Sequence, residues 1–369
     1  MRRALPIALL LTTALTGCDV VKFPGITKSD PAPERRAPPP PPPLEPVNPI
    51  SINGEIIDVP GQGSTLSASR TLSAELNPSS FAPATLASLN TKHCADQTST
   101  GTNTLAEIMG AEETEPAVQP QAVSQETASL LDSFPGIAKL EPKRQTEDGR
   151  TASGHCGATR ISNSWFVTAA HCVDQNYDSI DLIVGSSDLN SPFAQRIEAD
   201  AALCHGGYTG QTGNYANDIA LIHVTEAAAN ALAETPIAEL DQTERPLTPL
   251  SYPIAHMAGW GVTNYDADLS STLQTAELTL DGSGPAAIIV SSLDEAGPCI
   301  GDSGGPLFVT EEDGSRSLVG VLSVIEENTN GEFCSGDYKA RYTNTSGFVD
   351  WANAVIAYCS TNFAACTNR

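Results

Sequence analysis

The run Cys299-Ile300-Gly301-Asp302-Ser303-Gly304-Gly305-Pro306 sets one hydroxyl among three glycines, beside one carboxylate. Glycine tolerates backbone conformations that side chains resist, so such a stretch can turn sharply and aim nearby N–H groups at one point. A serine in that turn is a candidate nucleophile, and the N–H groups of Gly301 and Ser303 are candidate donors to an oxyanion. A serine nucleophile also needs a base, and a group that orients the base. Thr168-Ala169-Ala170-His171-Cys172 supplies the base just after an apolar strand pattern. Asn217-Asp218-Ile219-Ala220-Leu221 supplies a carboxylate ahead of an apolar run. The candidate catalytic residues are therefore His171, Asp218 and Ser303.

The surrounding texture is that of short strands. Trp165-Phe166-Val167, Leu182-Ile183-Val184, Ile219-Ala220-Leu221-Ile222 and Ser317-Leu318-Val319-Gly320-Val321-Leu322 are apolar runs separated by turns. Many short strands with glycine-rich turns predict an all-β sandwich or barrel. From Gly347 through Tyr358 the spacing becomes helical, with Phe348, Trp351, Val355 and Ile356 able to share one face.

The front of the chain is different. Arg2 and Arg3 precede a short apolar run, Ala4 to Leu15, too short to span a bilayer core of about 30 Å. Leu15-Thr16-Gly17-Cys18 then resembles the bacterial lipobox, which implies a signal peptide over residues 1–17 and acylation of Cys18. Residues 18–49 are read as a tether, because Pro38 to Pro43 favours extended polyproline II. Residues 50–121, rich in Ser, Thr, Ala and Asn, are read as a pro-segment or stalk of low order. Residues 122–369 form the main domain. The expected location is outside the cytoplasm, as an exported bacterial lipoprotein at a membrane, periplasmic or on the cell surface. A formal net charge of −25 disfavours nucleic acid, whose phosphates are gripped by Lys and Arg. Without Cys18, eight cysteines remain, an even number that fits a disulfide framework in an exported chain. No C-x-x-C pair occurs, and neither a metal nor another cofactor is expected.

The three motif segments, in the order His, Asp, Ser, resemble the trypsin/chymotrypsin family of serine proteases. Met257-Ala258-Gly259-Trp260-Gly261 is similar to the family's segment between its two barrels. The resemblance covers roughly residues 122–358. It implies two six-stranded antiparallel β-barrels with a C-terminal helix, preceded here by the tether and pro-segment, and an endopeptidase acting on polypeptides as a monomer. Ser323 matches the serine that hydrogen-bonds the catalytic aspartate. Cys156–Cys172 and Cys299–Cys334 match family bridges. Cys94, Cys204, Cys359 and Cys366 then allow three connectivities, of which Cys359–Cys366 with Cys94–Cys204 is favoured.

Several positions depart from the family. Gly297 stands where Lys/Arg-selective members carry Asp, and Ile325 and Ala340 stand where open-pocket members have glycines. These three imply a narrow, uncharged specificity pocket. No Ile-Val-Gly-Gly occurs, and no Lys or Arg lies between Lys92 and Lys139. A cut near Gln121–Ala122 is therefore expected to release an Ala122 ammonium that pairs with Asp302, as the family's new N-terminus does. The rival expectation is a catalytically latent module of the same fold that binds or regulates. For the anchor, Cys18→Ser is expected to move the protein out of the membrane fraction or to stall its processing. Normal processing with membrane fractionation would refute the lipobox reading.

Overall fold

The computed structural model describes residues 84–96, 130–146, 149–242, 246–263, 267–293 and 296–367. The first barrel uses β1 (Thr91–His93), β2 (Ile137–Gln145), β3 (Thr151–Ser153), β4 (Cys156–Arg160), β5 (Trp165–Thr168), β6 (Ser179–Val184), β7 (Gln195–His205) and β8 (Ala220–Val224). The ring runs β2, β4, β5, β8, β7, β6 and back to β2, antiparallel throughout. Closure removes the free edges that a half-open sheet would expose. β3 extends from β2, and β1 lies outside the ring against β7.

The second barrel follows β9 (Glu239–Leu240) and is built from β10 (Ile254–Gly259), β11 (Gln274–Ser283), β12 (Ala287–Ser292), β13 (Pro306–Thr310), β14 (Arg316–Ile325) and β15 (Lys339–Asn344). Its ring runs β10, β11, β12, β15, β14, β13 and back to β10. Strands that face solvent on one side alternate. In β7 Ala199, Ala201 and Leu203 are buried, while Asp200 and Ala202 between them are partly exposed. By contrast, every residue of β4 and β5 is buried. That explains why Trp165-Phe166-Val167 reads as an unbroken apolar run.

The barrels are joined through Trp260, one of the largest fully buried side chains. Its Nε1–H donates to the Ser187 carbonyl at 3.1 Å, and the same carbonyl accepts from Leu273 N–H at 2.7 Å. The C-terminal helix Val349–Thr361 buries Val349, Ala352, Val355 and Cys359. Trp351 and Ile356 pack partly buried against the same core.

One stretch differs from the sequence reading. Part of the segment read as a low-order pro-segment has defined structure. β1 pairs with β7, Trp351 Nε1–H donates to Thr91 Oγ1 at 2.9 Å, and Cys94 is bonded to Cys204. A strand of three residues is too short to carry a period, so composition alone read it as loop. The lipid site Cys18 and the tether lie outside the described residues.

The Cys94–Cys204 bridge closes 110 residues of chain. Restricting a loop of that order limits the unfolded ensemble, so replacing both cysteines by serine is expected to cost about 2–5 kcal/mol. Urea unfolding should register this, and amide exchange should show β1 opening before the rest of the barrel. An unchanged midpoint would mean that β7 and the helix hold the segment without the bond.

Candidate active site

His171 sits in a short turn at the end of β5, where Ala169, Ala170 and Cys172 are all buried. Its backbone N–H donates to Asp218 Oδ1 at 2.9 Å, and its ring Nδ1–H donates to Asp218 Oδ2 at 2.7 Å. A carboxylate only accepts, so the proton of that contact lies on Nδ1 and Nε2 is left as the basic nitrogen. Asp218 has no exposed surface. It also accepts from Ser323 Oγ at 2.7 Å, and its backbone carbonyl accepts from Thr343 Oγ1 at 2.8 Å. Ser323 lies on β14 and Thr343 on β15, so an acid from the first barrel is held by the second. Burial alone would pull the His171 pKa down. Asp218, with Asp174 behind it, outweighs that and holds the imidazole above its usual value.

Ser303 and His171 line one cleft of about 130 Å³, together with Gly301, Ile325, Phe333 and Tyr215. Tyr215 stands edge-on to His171 at 5.6 Å between ring centroids. The nucleophile loop is fastened on both sides. Ser303 carbonyl accepts from Gly157 N–H of β4 at 2.7 Å, Gly304 N–H donates to the Leu322 carbonyl, and Leu322 N–H donates to the Gly305 carbonyl. Gly304 has φ +76°, and a Cβ there would fall 2.3 Å from Thr168 Oγ1 and 2.5 Å from the Gly157 carbonyl oxygen. Only glycine fits where the loop crosses β4 and β5.

Gly301 has φ +93°. Among the described residues, no backbone carbonyl accepts from the N–H of Gly301 or of Ser303, whereas their neighbour Asp302 donates to the Cys299 carbonyl. Two free donors thus flank one used donor beside the nucleophile, an arrangement able to receive an oxyanion.

The pocket residues separate. Ile325 lines the cleft. Ala340 is buried behind it, paired across the strands with Ile325. Gly297 faces Tyr338, whose Oη–H donates to the Pro298 carbonyl at 2.9 Å; a Cβ on Gly297 would lie 2.6 Å from the Tyr338 hydroxyl oxygen. Tyr338 therefore fills the space beside Gly297. Sequence reasoning missed it, along with Phe333 and His155, both of which line the cleft.

The structure joins Cys156 to Cys172, Cys299 to Cys334, Cys359 to Cys366 and Cys94 to Cys204. Cys156, Cys172 and His171 cluster closely enough to suggest metal ligands, but both sulfurs are consumed in the disulfide. Asp302 is buried and accepts from Gly261 N–H at 2.7 Å and Cys299 N–H at 2.9 Å. Its expected partner Ala122 lies outside the described residues.

The chain is similar in sequence to known proteins. The trypsin family model matches residues 132–352. A fibrinolytic enzyme, isozyme C, of Lumbricus rubellus is 30% identical over 243 residues, covering 60% of this chain and 96% of its own. A collagenase of Hypoderma lineatum is 27% identical over 208 residues, covering 53% of this chain and 74% of its own. The solved structure of neuropsin, a serine protease expressed in the limbic system of mouse brain, superposes with a TM-score of 0.47 at 22% identity, over 61% of this chain and 96% of that one. With the family model spanning more than half of its length, the chain belongs to the trypsin family and is a serine endopeptidase of that type.

Proposed function

We propose that the chain cleaves peptide bonds through an acyl-enzyme on Ser303, with a preference for small apolar residues on the acyl side, and that it works outside the cytoplasm on a lipid anchor at Cys18. The observation that carries the chemistry is the 2.7 Å contact from His171 Nδ1 to Asp218, with Nε2 left as the base in a cleft shared with Ser303. Ser303 Oγ attacks the carbonyl carbon as His171 Nε2 takes its proton. The carbonyl oxygen becomes an oxyanion received by the N–H groups of Gly301 and Ser303. Collapse breaks the C–N bond, and His171 returns the proton to the leaving amine. Water then repeats the sequence on the ester, releasing the acid and regenerating the serine.

Ser303→Ala is expected to remove turnover while leaving the fold unchanged, with residual acceleration of only about 10³–10⁴-fold over water, as when other triads lose a member. Full turnover by the purified variant would overturn the assignment. A fluorophosphonate probe distinguishes the latent alternative, since an incomplete site leaves Ser303 unlabelled.

The base must be neutral to accept a proton, so activity is lost as pH falls through the His171 pKa. Because Asp218 and Asp174 outweigh burial and raise that pKa, the acid limb of kcat/KM is expected above the free-imidazole value. A limb at or below that value would mean that Asp218 does not govern the base.

Specificity follows from the lining of the cleft. Among the described residues that line it none is a carboxylate that could meet a cation, and an unpaired buried charge is costly. Fluorogenic peptides with Ala or Val at P1 are expected to outrun Arg or Lys by about 10²-fold. Ile325→Gly should extend acceptance to larger apolar side chains. A preference for Arg would refute this pocket.

A further inference from the structure

Lys139 lies in the middle of β2 with only 2% of its surface exposed, and its Nζ has no hydrogen-bond partner among the described residues. Lysine is almost never buried without a compensating anion. Two carboxylates reach it electrostatically, Asp302 and Glu141. Glu141, two residues along the same strand, is already engaged by Arg196 and Lys143. Asp302 is otherwise met by two backbone N–H groups, and among the described residues Lys139 is the one cation acting on it. Lys139 sits opposite Gly157 in the β2–β4 ladder, and the N–H of Gly157 holds the carbonyl of Ser303.

We propose that Lys139 is a positioning residue for catalysis: its buried ammonium compensates the Asp302 carboxylate and so keeps the nucleophile loop, with the donors of Gly301 and Ser303, in its working form without a new N-terminus. This rests on the peptidase reading above and assigns to Lys139 the part that the sequence reading gave to Ala122. A buried carboxylate met only by two amide donors keeps an uncompensated charge; the buried strand supplies the cation. Charge opposite charge in a dry interior acts well beyond hydrogen-bond distance. Burial lowers the Lys139 pKa to about 8, with Asp302 and Glu141 opposing that fall. Tyr338 and Tyr342 also lie within the field of Asp302, and burial holds both neutral. The cation is therefore present near neutral pH and is lost as pH rises through about 8.

The test uses the full chain, verified by intact mass to be unbroken through residues 110–135, and measures the rate at which a fluorophosphonate labels Ser303. The uncut chain is expected to label, with an alkaline limb near 8. Lys139→Met is expected to slow labelling about 10- to 100-fold, the scale of a weakened oxyanion site, and to remove that limb. Lys139→Arg should restore labelling and move the limb upward, because guanidinium stays charged. Wild-type labelling that requires a cut exposing a new N-terminus would overturn the proposal, as would an uncut chain with no alkaline limb, or Lys139→Met labelling at the wild-type rate. If the Met variant does not fold, the wild-type chain alone decides through its uncut labelling and its limb. Failure of both cut and uncut wild type to label defeats the peptidase reading, and this proposal with it.

Discussion

Asp218 carries a carboxylate with no exposed surface, at the seam between two barrels. A buried charge left without partners costs several kcal/mol, so its position is tolerable only when its acceptor sites are filled. Here they are filled from both sides. His171 gives a backbone N–H and a ring N–H from the first barrel, and Ser323 gives a hydroxyl from the second. The network closes only when the barrels dock, so docking and assembly of the base are one event. Trp260, inserted at the same seam and bonded to Ser187, keeps that docking specific.

A second buried carboxylate, Asp302, is one residue from the nucleophile and is solved differently. Two amide donors from Gly261 and Cys299 fix its direction, yet no hydrogen-bonded cation reaches it among the described residues. Amide donors orient a carboxylate but leave its charge uncompensated. Lys139, buried on the strand next to Gly157 and without a hydrogen-bond partner for its Nζ among the described residues, is the complementary case on the donor side. Two such groups within one core are each costly alone and tolerable together, which is why their coupling bears on how the loop is held.

The cleft beside the nucleophile is walled by residues remote from it in sequence. Tyr338 precedes β15 and anchors to the Pro298 carbonyl, so its ring occupies the space that a larger residue at position 297 would need. Ile325 at the end of β14 and Phe333 in the following loop form the wall. The Cys299–Cys334 bond ties this wall to the nucleophile loop.

The segments around His171, Asp218 and Ser303 were legible because each carries a local demand. Gly304 must cross β4 and β5 without a Cβ, and a histidine after an all-buried strand marks a turn into a cleft. The all-β class and the C-terminal helix were legible too, since periods of two and 3.6 are properties of neighbouring residues. What the sequence by itself did not determine depends on groups far apart in the chain. The strand at Thr91–His93 exists through its register with β7, a disulfide and one indole N–H, none of which leaves a local period. Lys139 reads in sequence as an ordinary cation in a strand of mixed polarity, and Tyr338 as an ordinary aromatic. Tertiary packing alone decided that the first is buried within the field of Asp302 and the second is buried against Gly297, because burial and charge compensation are set by what the fold brings alongside, not by what the chain places next in line.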